Sequence, residues 1–165
     1  MTWEPELEEL RQRQALAREM GGPDKIARQR AAGRLTVRER IGALLDAGSF
    51  HEIGSITGNG AYDETGALQS MTPTIFLFGR GRIEGRRVVV AGDDFTVRGG
   101  ASDASIIEKQ VAAEQMAHEL RLPMIRLIEG SGGGGSVKSL EAMGYTYVPF
   151  LPGFDHMVRN LATVP

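Results

Sequence analysis

The glycine-rich segment EGSGGGGS, residues 129–136, is the stretch of this chain best suited to chemistry. It follows a short apolar run at 124–128 and precedes a short amphipathic segment. Glycine loses more backbone entropy on folding than any other residue, so a run of glycines between ordered elements needs an explanation. One explanation is a flexible linker, and the other is a ligand that lies against bare backbone. The position between a predicted buried strand and a predicted helix favours the ligand.

A second glycine-bearing segment, FTVRGG at 95–100, also follows an apolar run and precedes a predicted helix. In open α/β folds, ligands bind beyond the carboxyl ends of the strands. Backbone N–H groups at helix N-termini attract oxyanions. A thioester oxygen that becomes an enolate is such an oxyanion, and each backbone donor stabilises it by roughly 3–4 kcal/mol. The two segments together predict a site for negative charge that develops during a reaction.

Several other site types are disfavoured by the same residues. Neither glycine segment matches the Walker A or dinucleotide fingerprint, and GRGRIEG at 79–85 lies in a β-rich run with no helix after it. Ser131 and Ser136 have no evident His and acid partners, which argues against a serine hydrolase. Asp93 and Asp94 could serve acid–base chemistry, but a pair at a strand end more often braces the next turn. The three histidines lack metal-ligand spacing, so no metal site is expected.

The elements that must position these segments follow from apolar periodicity and breaker residues. Helices are predicted at 4–20, 24–32, 103–120, 136–143 and 154–161. Another is predicted to begin at a Thr36–Glu39 capping box and to end near residue 48. In the helix at 154–161, the side chains of Met157, Val158 and Leu161 are predicted to point inward. Strands are predicted at 50–53, 75–83, 86–91 and 123–128, the middle two forming a hairpin or a bent meander around Glu84-Gly85. Residues 54–73 are predicted to be irregular. From residue 86 the order of strands and helices predicts a parallel α/β layer with right-handed crossovers.

Composition limits the class of protein further. With 165 residues, 41% of them hydrophobic and a net charge of −2, the chain is one domain or part of one, with no sign of a nucleic-acid or membrane-surface partner. It has no cysteine, which excludes disulfides and thiolate chemistry and agrees with a cytoplasmic location. Its acidic N-terminus is no signal peptide, and no apolar run approaches the ~20 residues of a membrane span.

Three ordered blocks of the sequence carry a resemblance. They are GRLTVRERIGALLDAGSFHEIG at 33–54, GRGRIEGRRVVVAGDDFTVRGG at 79–100 and LRLPMIRLIEGSGGGG at 120–135. In this order they resemble the carboxyltransferase (β) subunits of the biotin-dependent propionyl-, methylcrotonyl- and geranyl-CoA carboxylases. The resemblance implies an α/β, crotonase-like (ClpP/crotonase) fold of the ββα type. It implies a partial N-terminal domain preceded by short helices.

The resemblance also implies an activity and its residues. The family transfers a carboxyl group from carboxybiotin to the α-carbon of an acyl-CoA, and backbone N–H pairs hold the enolate. The positions that match its donor loop are Gly132, Gly133 and Gly134. The loop along its acyl-CoA channel corresponds to Gly99, Gly100 and Ala101. Arg34 and Arg38 match its N-terminal block and are expected either near the CoA phosphates or on a solvated helix.

Further expectations concern partners and boundaries. The resemblance implies biotin carried by another protein or domain, a biotin carboxylase and carrier subunit, the remainder of the carboxyltransferase subunit, and a homo-oligomer. The expected division is an N-terminal helical segment at 1–48 and a partial crotonase-like domain at 49–165. This domain would stop before the second oxyanion loop of the family. The chain is therefore expected to be a fragment, a truncated product or a split subunit, inactive in carboxyl transfer by itself.

One departure and two alternatives complete the sequence-based interpretation. The family loop opens with Asp-Ser-Gly-Gly-Ala, whereas this chain has Glu129, Gly130 and Ser131 before its glycines, which predicts a divergent subfamily. A crotonase-type acyl-CoA hydratase or isomerase would need a side-chain acid. Glu129 is the one candidate, and it matches a structural Asp of the family. A non-catalytic acyl-CoA-binding or assembly module is the other alternative.

Overall fold

The computed structural model describes residues 2–101 and 106–130, together with the single positions 141, 144, 158, 159, 161 and 162. The helices are α1 (Glu4–Arg18), α2 (Pro23–Ala31), α3 (Val37–Leu44) and α4 (Ile107–Leu120). The strands are β1 (His51–Ile53), β2 (Gly58–Tyr62), β3 (Leu68–Pro73), β4 (Phe76–Ile83), β5 (Arg86–Asp93) and β6 (Met124–Leu127). A short 3-10 turn spans Arg98–Gly100 between β5 and α4. In the described part of the chain, no helix is long and apolar enough to cross a bilayer.

A four-stranded sheet organises the fold, with the strand order β1-β4-β5-β6. β1 and β5 both pair antiparallel with β4, whereas β5 and β6 run parallel, as the sequence predicted. The parallel register pairs Val89 with Met124 and Gly92 with Leu127. Because the two parallel strands end at the same edge, the residues that follow each of them emerge side by side.

The β4–β5 hairpin was predicted from the Glu84-Gly85 pair, and the structure confirms it. Glu84 and Gly85 have φ angles of 49° and 77°, the left-handed conformation that a tight hairpin turn requires. Asp46 accepts hydrogen bonds from both of their N–H groups, each at 2.8 Å. The turn is therefore held by the segment that follows α3.

The hydrophobic core lies on both faces of the sheet, because successive side chains of β4 and β5 point to opposite sides. One face packs against α4, and its buried residues are Ile75, Phe76, Phe78, Val89, Ala91, Val97, Ala113 and Ala117. The other face packs against α3, and its buried residues are Val37, Ile41, Leu45, Leu77, Val88 and Val90. The sheet is thus a middle layer between two helices. The division of the chain at residue 48 stays a prediction.

Two sequence-based predictions are corrected by the strands. Residues 54–73 were predicted to be irregular, yet β2 and β3 form an antiparallel hairpin there. Most of their side chains are exposed, so the alternation of apolar residues that identifies a half-buried strand is absent. The strand at 123–128 was predicted to be buried, but β6 spans Met124–Leu127 and is only half-buried. Within the described sheet, β6 has a pairing partner on one side alone.

The structure describes only a few residues of the two helices predicted after β6. Residues 136–143 lie almost entirely outside the described residues. Val158 and Leu161 are helical, but they are 46% and 79% exposed, so the prediction that they point inward is wrong. Apolar residues at helical spacing mark a helix face, but the spacing does not show what covers that face. The helix predicted to begin at Asp103 begins, within the described residues, at Ile107.

The capping box at the start of α3 is confirmed. The Thr36 side chain accepts from the Glu39 N–H at 3.3 Å, and the Glu39 carboxylate accepts from the Thr36 N–H at 2.7 Å. Arg30 of α2 pairs with Glu39 at 2.6 Å, and these contacts lower the pKa of Glu39, with the Thr36 N–H bond the largest cause. The cap fixes the point where the chain turns onto the sheet.

We expect Thr36→Val to destabilise the protein by about 1 kcal/mol, because the side chain keeps its shape but no longer accepts a bond from the helix N-terminus. The measurement is the free energy of unfolding in urea at neutral pH. Thr72→Val, the same change at an exposed position of β3, is the matched control and should stay within about 0.5 kcal/mol of wild type. Equal losses at the two positions would contradict the role of the cap.

Candidate functional site

The two glycine-bearing segments of the sequence meet at the carboxyl edge of β5 and β6. Gly100 has a φ of 69°, and a Cβ atom at this position would lie 2.7 Å from the Glu129 carbonyl oxygen and 3.2 Å from the Gly130 Cα. No side chain can be accommodated at such distances, so Gly100 is glycine because another backbone approaches it. The structure therefore brings Gly100 and the entrance of the segment at 129–136 into contact. Gly132, Gly133 and Gly134 lie outside the described residues.

Gly99 is glycine for a different reason. Its φ is 66°, but a Cβ atom there would meet no heavy atom of the described residues beyond its chain neighbours within 4 Å. The left-handed backbone conformation favours glycine, and in the described part of the chain the space beside it is open. The turn thus presents bare backbone on one side at Gly99 and touches the second segment at Gly100. Ala101, which follows, is buried.

The Asp94 carboxylate stabilises the start of this turn through hydrogen bonds from Thr96. Its Oδ1 accepts from the Thr96 N–H at 2.9 Å and from the Thr96 hydroxyl at 2.6 Å. The Thr96 hydroxyl in turn accepts from the Gly21 N–H at 2.9 Å, in the connection between α1 and α2. A Cβ atom on Gly21 would lie 1.9 Å from the Thr96 carbonyl oxygen, so these two segments pack backbone to backbone. Asp94 acts here as a structural brace.

Asp93 performs a similar task for the second segment. The Glu129 backbone N–H lies near the Asp93 carboxylate at the end of β5 and favours its charged form. Burial raises the pKa of Asp93, and the nearby Arg126 and Arg40 oppose that rise. Burial also raises the pKa of Asp94, opposed by its bonds to Thr96. The pair of acids therefore holds the two loops rather than projecting into open space.

The Glu129 carboxylate is bound by α2 and α3, two of the three helices that precede the sheet. Its Oε1 accepts from Gln29 Nε2 of α2 at 2.9 Å, and its Oε2 accepts from Arg40 Nη1 of α3 at 3.2 Å. Sequence reasoning missed Gln29 and Arg40. They lie 100 and 89 residues before Glu129, and no local pattern signals a contact at such separation. The only sequence feature that pointed to this contact was Glu129 itself, an acidic residue at the end of a predicted strand.

The two arginines named from the sequence occupy different surroundings. The exposed Arg34 guanidinium lies over the Phe95 ring, 6.0 Å from its centroid, and Phe95 packs beside Gly100. Arg38 instead forms a two-bond pair with Glu52, at 2.7 and 3.2 Å. The structure thus brings Arg34 to the glycine turn but not Arg38. That either residue contacts CoA stays a prediction.

Arg38 lines a small polar cavity together with Glu52, Asp94 and Lys109. The cavity has room for about one water molecule, because the centre of a water can occupy a volume of about 10 Å³ there. Arg38 Nε and Asp94 Oδ2 are buried there and have no protein hydrogen-bond partner among the described residues. Lys109 Nζ donates to the Gly54 carbonyl at 2.9 Å, and burial lowers the pKa of Lys109 to about 8, with Glu52 opposing the shift.

No three His, Asp or Glu side chains come together as a metal site within the ranges that the structure describes. The described polar groups at the two loops include backbone amides, the braced acids, Thr96, Arg98 and Arg34. Such a set can hold an anionic ligand against the backbone. The chemistry it can support is stabilisation of negative charge by backbone donors.

Comparison with known protein families agrees with this geometry. The model of the carboxyl transferase domain matches residues 28–148, which is well over half of the chain. The chain belongs to the carboxyl transferase domain family. The match spans both glycine-bearing segments, Glu129 and its partners Gln29 and Arg40.

Relatives of this carboxyl transferase domain are similar along nearly its whole length. The propionyl-CoA carboxylase carboxyltransferase subunit of Haloferax mediterranei is 35% identical over 97% of this chain, and this chain covers 36% of it. A probable biotin-dependent acyl-coenzyme A carboxylase beta2 subunit of Mycobacterium tuberculosis is also 35% identical over 97% of this chain, with 27% of its own length covered. The chain therefore spans about a third or less of these curated relatives.

Solved structures confirm the fold. A single-chain, multi-domain long-chain acyl-CoA carboxylase is 26% identical, with a TM-score of 0.69 over 97% of this chain and 17% of its own. The transcarboxylase 12S core with methylmalonyl-coenzyme A bound is 25% identical, with a TM-score of 0.67 over 96% of this chain and 28% of its own. The sequence-based prediction of a partial, crotonase-like α/β domain is confirmed, as is the resemblance to carboxyltransferase subunits.

We expect Gly100→Ala to be more damaging than Gly99→Ala. Both residues have positive φ, which costs alanine roughly 1–2 kcal/mol. Only Gly100→Ala also pushes a methyl group against the Glu129 carbonyl, which adds roughly 1–3 kcal/mol. Urea unfolding of the two variants measures the difference, and similar losses at both positions would show that the two segments are not in contact.

Lys109→Met is expected to change how stability depends on pH. The neutral amine is favoured in the folded state, because burial lowers the pKa of Lys109 from 10.5 to about 8. Between these values the unfolded chain binds more protons, so this lysine's contribution to stability rises with pH, by up to about 3 kcal/mol. The stability of wild type minus that of the variant should therefore increase from pH 8 to pH 10.5, as measured by urea unfolding. A flat difference across this window would contradict the burial of a titrating Lys109.

Proposed function

We propose that this chain is the N-terminal part of an acyl-CoA carboxyltransferase, which moves a carboxyl group from carboxybiotin to the α-carbon of an acyl-CoA. One observation carries the proposal. The Gly99–Gly100 turn and the Glu129–Gly130 entrance meet at the carboxyl edge of two parallel strands, in a chain of the carboxyl transferase domain family. Two backbone segments that converge without side chains between them suit a substrate that must lie against amides.

The reaction requires stabilisation of negative charge more than it requires a side-chain catalyst. The carbanion formed beside the thioester is held as an enolate, and its oxygen needs N–H donors that are already oriented. We assign these donors to Gly132, Gly133 and Gly134. We assign the wall of the acyl-CoA site to Gly99, Gly100 and Ala101, with Arg34 and Arg38 as the candidates for the CoA phosphates. Carboxybiotin supplies the carboxyl group, and none of the described residues is assigned to its ureido ring.

The similar proteins support the choice of substrate class. The solved transcarboxylase core holds methylmalonyl-coenzyme A and is described as a hexamer, and the β subunit of a geranyl-CoA carboxylase from P. aeruginosa is 26% identical with a TM-score of 0.59. For this chain we propose an acyl-CoA substrate, a biotin carboxylase and biotin carrier partner, and the remainder of a carboxyltransferase subunit. A homo-oligomer and a cytoplasmic location belong to the same proposal.

The hydratase or isomerase alternative is less well supported. It needs a free acid beside the oxyanion site, and Glu129 was the one candidate in the sequence. Both of its carboxylate oxygens are engaged, by Gln29 and Arg40, and its side chain is only 20% exposed. A carboxylate held in this way is a poor proton carrier, because transfer would break its bonds to a cation and an amide.

The decisive experiment is carboxyl transfer by the assembled enzyme that contains this chain, with labelled carboxybiotin and acetyl-, propionyl- or a longer branched acyl-CoA. Gly133→Pro removes the proposed N–H donor and should lower kcat roughly 10²–10³-fold. Gly133→Ala keeps the N–H and serves as the matched control, with a smaller loss. Calorimetry of the same acyl-CoA compounds measures binding separately.

Three results would separate the candidates. Transfer that Gly133→Pro abolishes and Gly133→Ala largely retains supports the carboxyltransferase with these donors. Acyl-CoA binding without any carboxyl transfer would overturn the proposal in favour of a binding or assembly module. Hydration or double-bond migration of an enoyl-CoA without transfer would instead support the crotonase-type alternative.

A further inference from the structure

Glu129 connects four parts of the fold at the entrance to the glycine-rich segment. It follows β6, its N–H lies near Asp93 at the end of β5, and its carboxylate accepts from Gln29 of α2 and Arg40 of α3. Its carbonyl oxygen lies against Gly100. Both the backbone and the side chain of this one residue are therefore restrained.

The contacts are protected from water more than an ordinary surface pair. The side chains of Arg40 and Glu129 are 25% and 20% exposed, and Gln29 is only 6% exposed. Exposed ion pairs contribute little because water and side-chain entropy offset their attraction. A half-buried carboxylate with a charged partner and a neutral partner on separate oxygens has a defined orientation. Glu129 is thus held in one geometry.

Arg40 also compensates a second carboxylate. Its charge lowers the pKa of the buried Asp93, whereas the Glu129 charge raises it, so the two neighbouring acids repel each other. Arg126 is the other cation that acts on Asp93, and it lies over the Phe76 ring and beside Glu114. Removing Arg40 leaves two close acids with Arg126 as the remaining cation among those named. The expected consequence is displacement of the residue 129 backbone away from Asp93.

We infer that Arg40 and Gln29 are positioning residues for the reaction, acting through Glu129 to fix the backbone where it enters the glycine-rich segment. The inference rests on the proposed function, because that segment is assigned the enolate donors. Oxyanion donors work only within a narrow range of distance and direction, and a shift of about 1 Å can cost roughly 10²-fold in rate. Gln29 and Arg40 are in this way part of the catalytic geometry without touching the substrate.

The kinetic test uses Arg40→Met and Gln29→Met in the assembled enzyme that contains this chain. Each variant should lower kcat for carboxyl transfer by roughly 10-fold or more, with KM for acyl-CoA within about 3-fold of wild type. The reason is that donors to the enolate act in the transition state and not on the bound thioester. Arg40→Lys keeps the charge and should recover part of the loss. Unchanged kcat in both folded Met variants would overturn the inference.

The matched control is Arg30→Met. Arg30 follows Gln29 in α2 and forms a comparable pair with Glu39 at the start of α3, but its side chain is 61% exposed. This variant should keep wild-type kcat. A loss equal to that of Arg40→Met would mean that any change to the charges of these helices slows the enzyme, and it would contradict a specific role for the Glu129 contacts.

Two further measurements distinguish positioning from general stability. If Arg40 acts through Glu129, adding Arg40→Met to Glu129→Gln should lower kcat little beyond Glu129→Gln alone, whereas independent effects would multiply. Hydrogen exchange should quicken at the amides of residues 130–135 in Arg40→Met but not along β4 and β5. Quickening at β4 and β5 alone would contradict the inference. Exchange can be read even if wild type transfers no carboxyl group, an outcome that would overturn the proposed function and leave the anchoring itself measurable.

Discussion

The parallel pairing of β5 with β6 is the constraint on which the rest of this structure depends. Its register places Gly92 beside Leu127, so both strands end at one edge and their following residues emerge together. The Asp93 carboxylate then lies near the Glu129 N–H, and Gly100 approaches the Glu129 carbonyl. A shift of one residue would move every side chain of β6 to the opposite face and separate these contacts.

The N-terminal helices are joined to this edge rather than merely preceding it in the sequence. Val37 of α3 lies in the core beneath β5, where a Cβ atom on Gly92 would come within 2.6 Å of its side chain. The connection after α1 touches Thr96, and α2 and α3 hold Glu129. Some of these contacts are close approaches between backbones, and others are half-buried hydrogen bonds. The helices and the loops therefore restrain one another. The positions of Gly100 and Glu129 therefore depend on how the helices pack against the sheet.

Buried charge is concentrated beside the same edge. Arg38, Glu52, Asp94 and Lys109 share a cavity with room for about one water, and Asp93 lies nearby with Arg40 and Arg126 acting on it. Buried ionisable groups are costly unless each has partners, and here the partners come from separate elements of the chain. The charges therefore favour one mutual arrangement of α3, α4 and the strand ends. Purely apolar contacts would distinguish less sharply between this arrangement of the helices and strands and other arrangements.

The sequence by itself determined the local elements. The capping box at Thr36, the Glu84-Gly85 hairpin and the helix ending at Leu120 all follow from short-range rules, and the ordered motifs identified the family. The sequence-based prediction failed at β2 and β3, because these mostly exposed strands lack the alternation of apolar and polar residues. Only the tertiary structure decided that Gly100 meets Glu129, that Gln29 and Arg40 bind the same carboxylate, and that Arg38 faces Glu52. Such contacts depend on how sheet and helices pack across many tens of residues, and no local spacing encodes that packing.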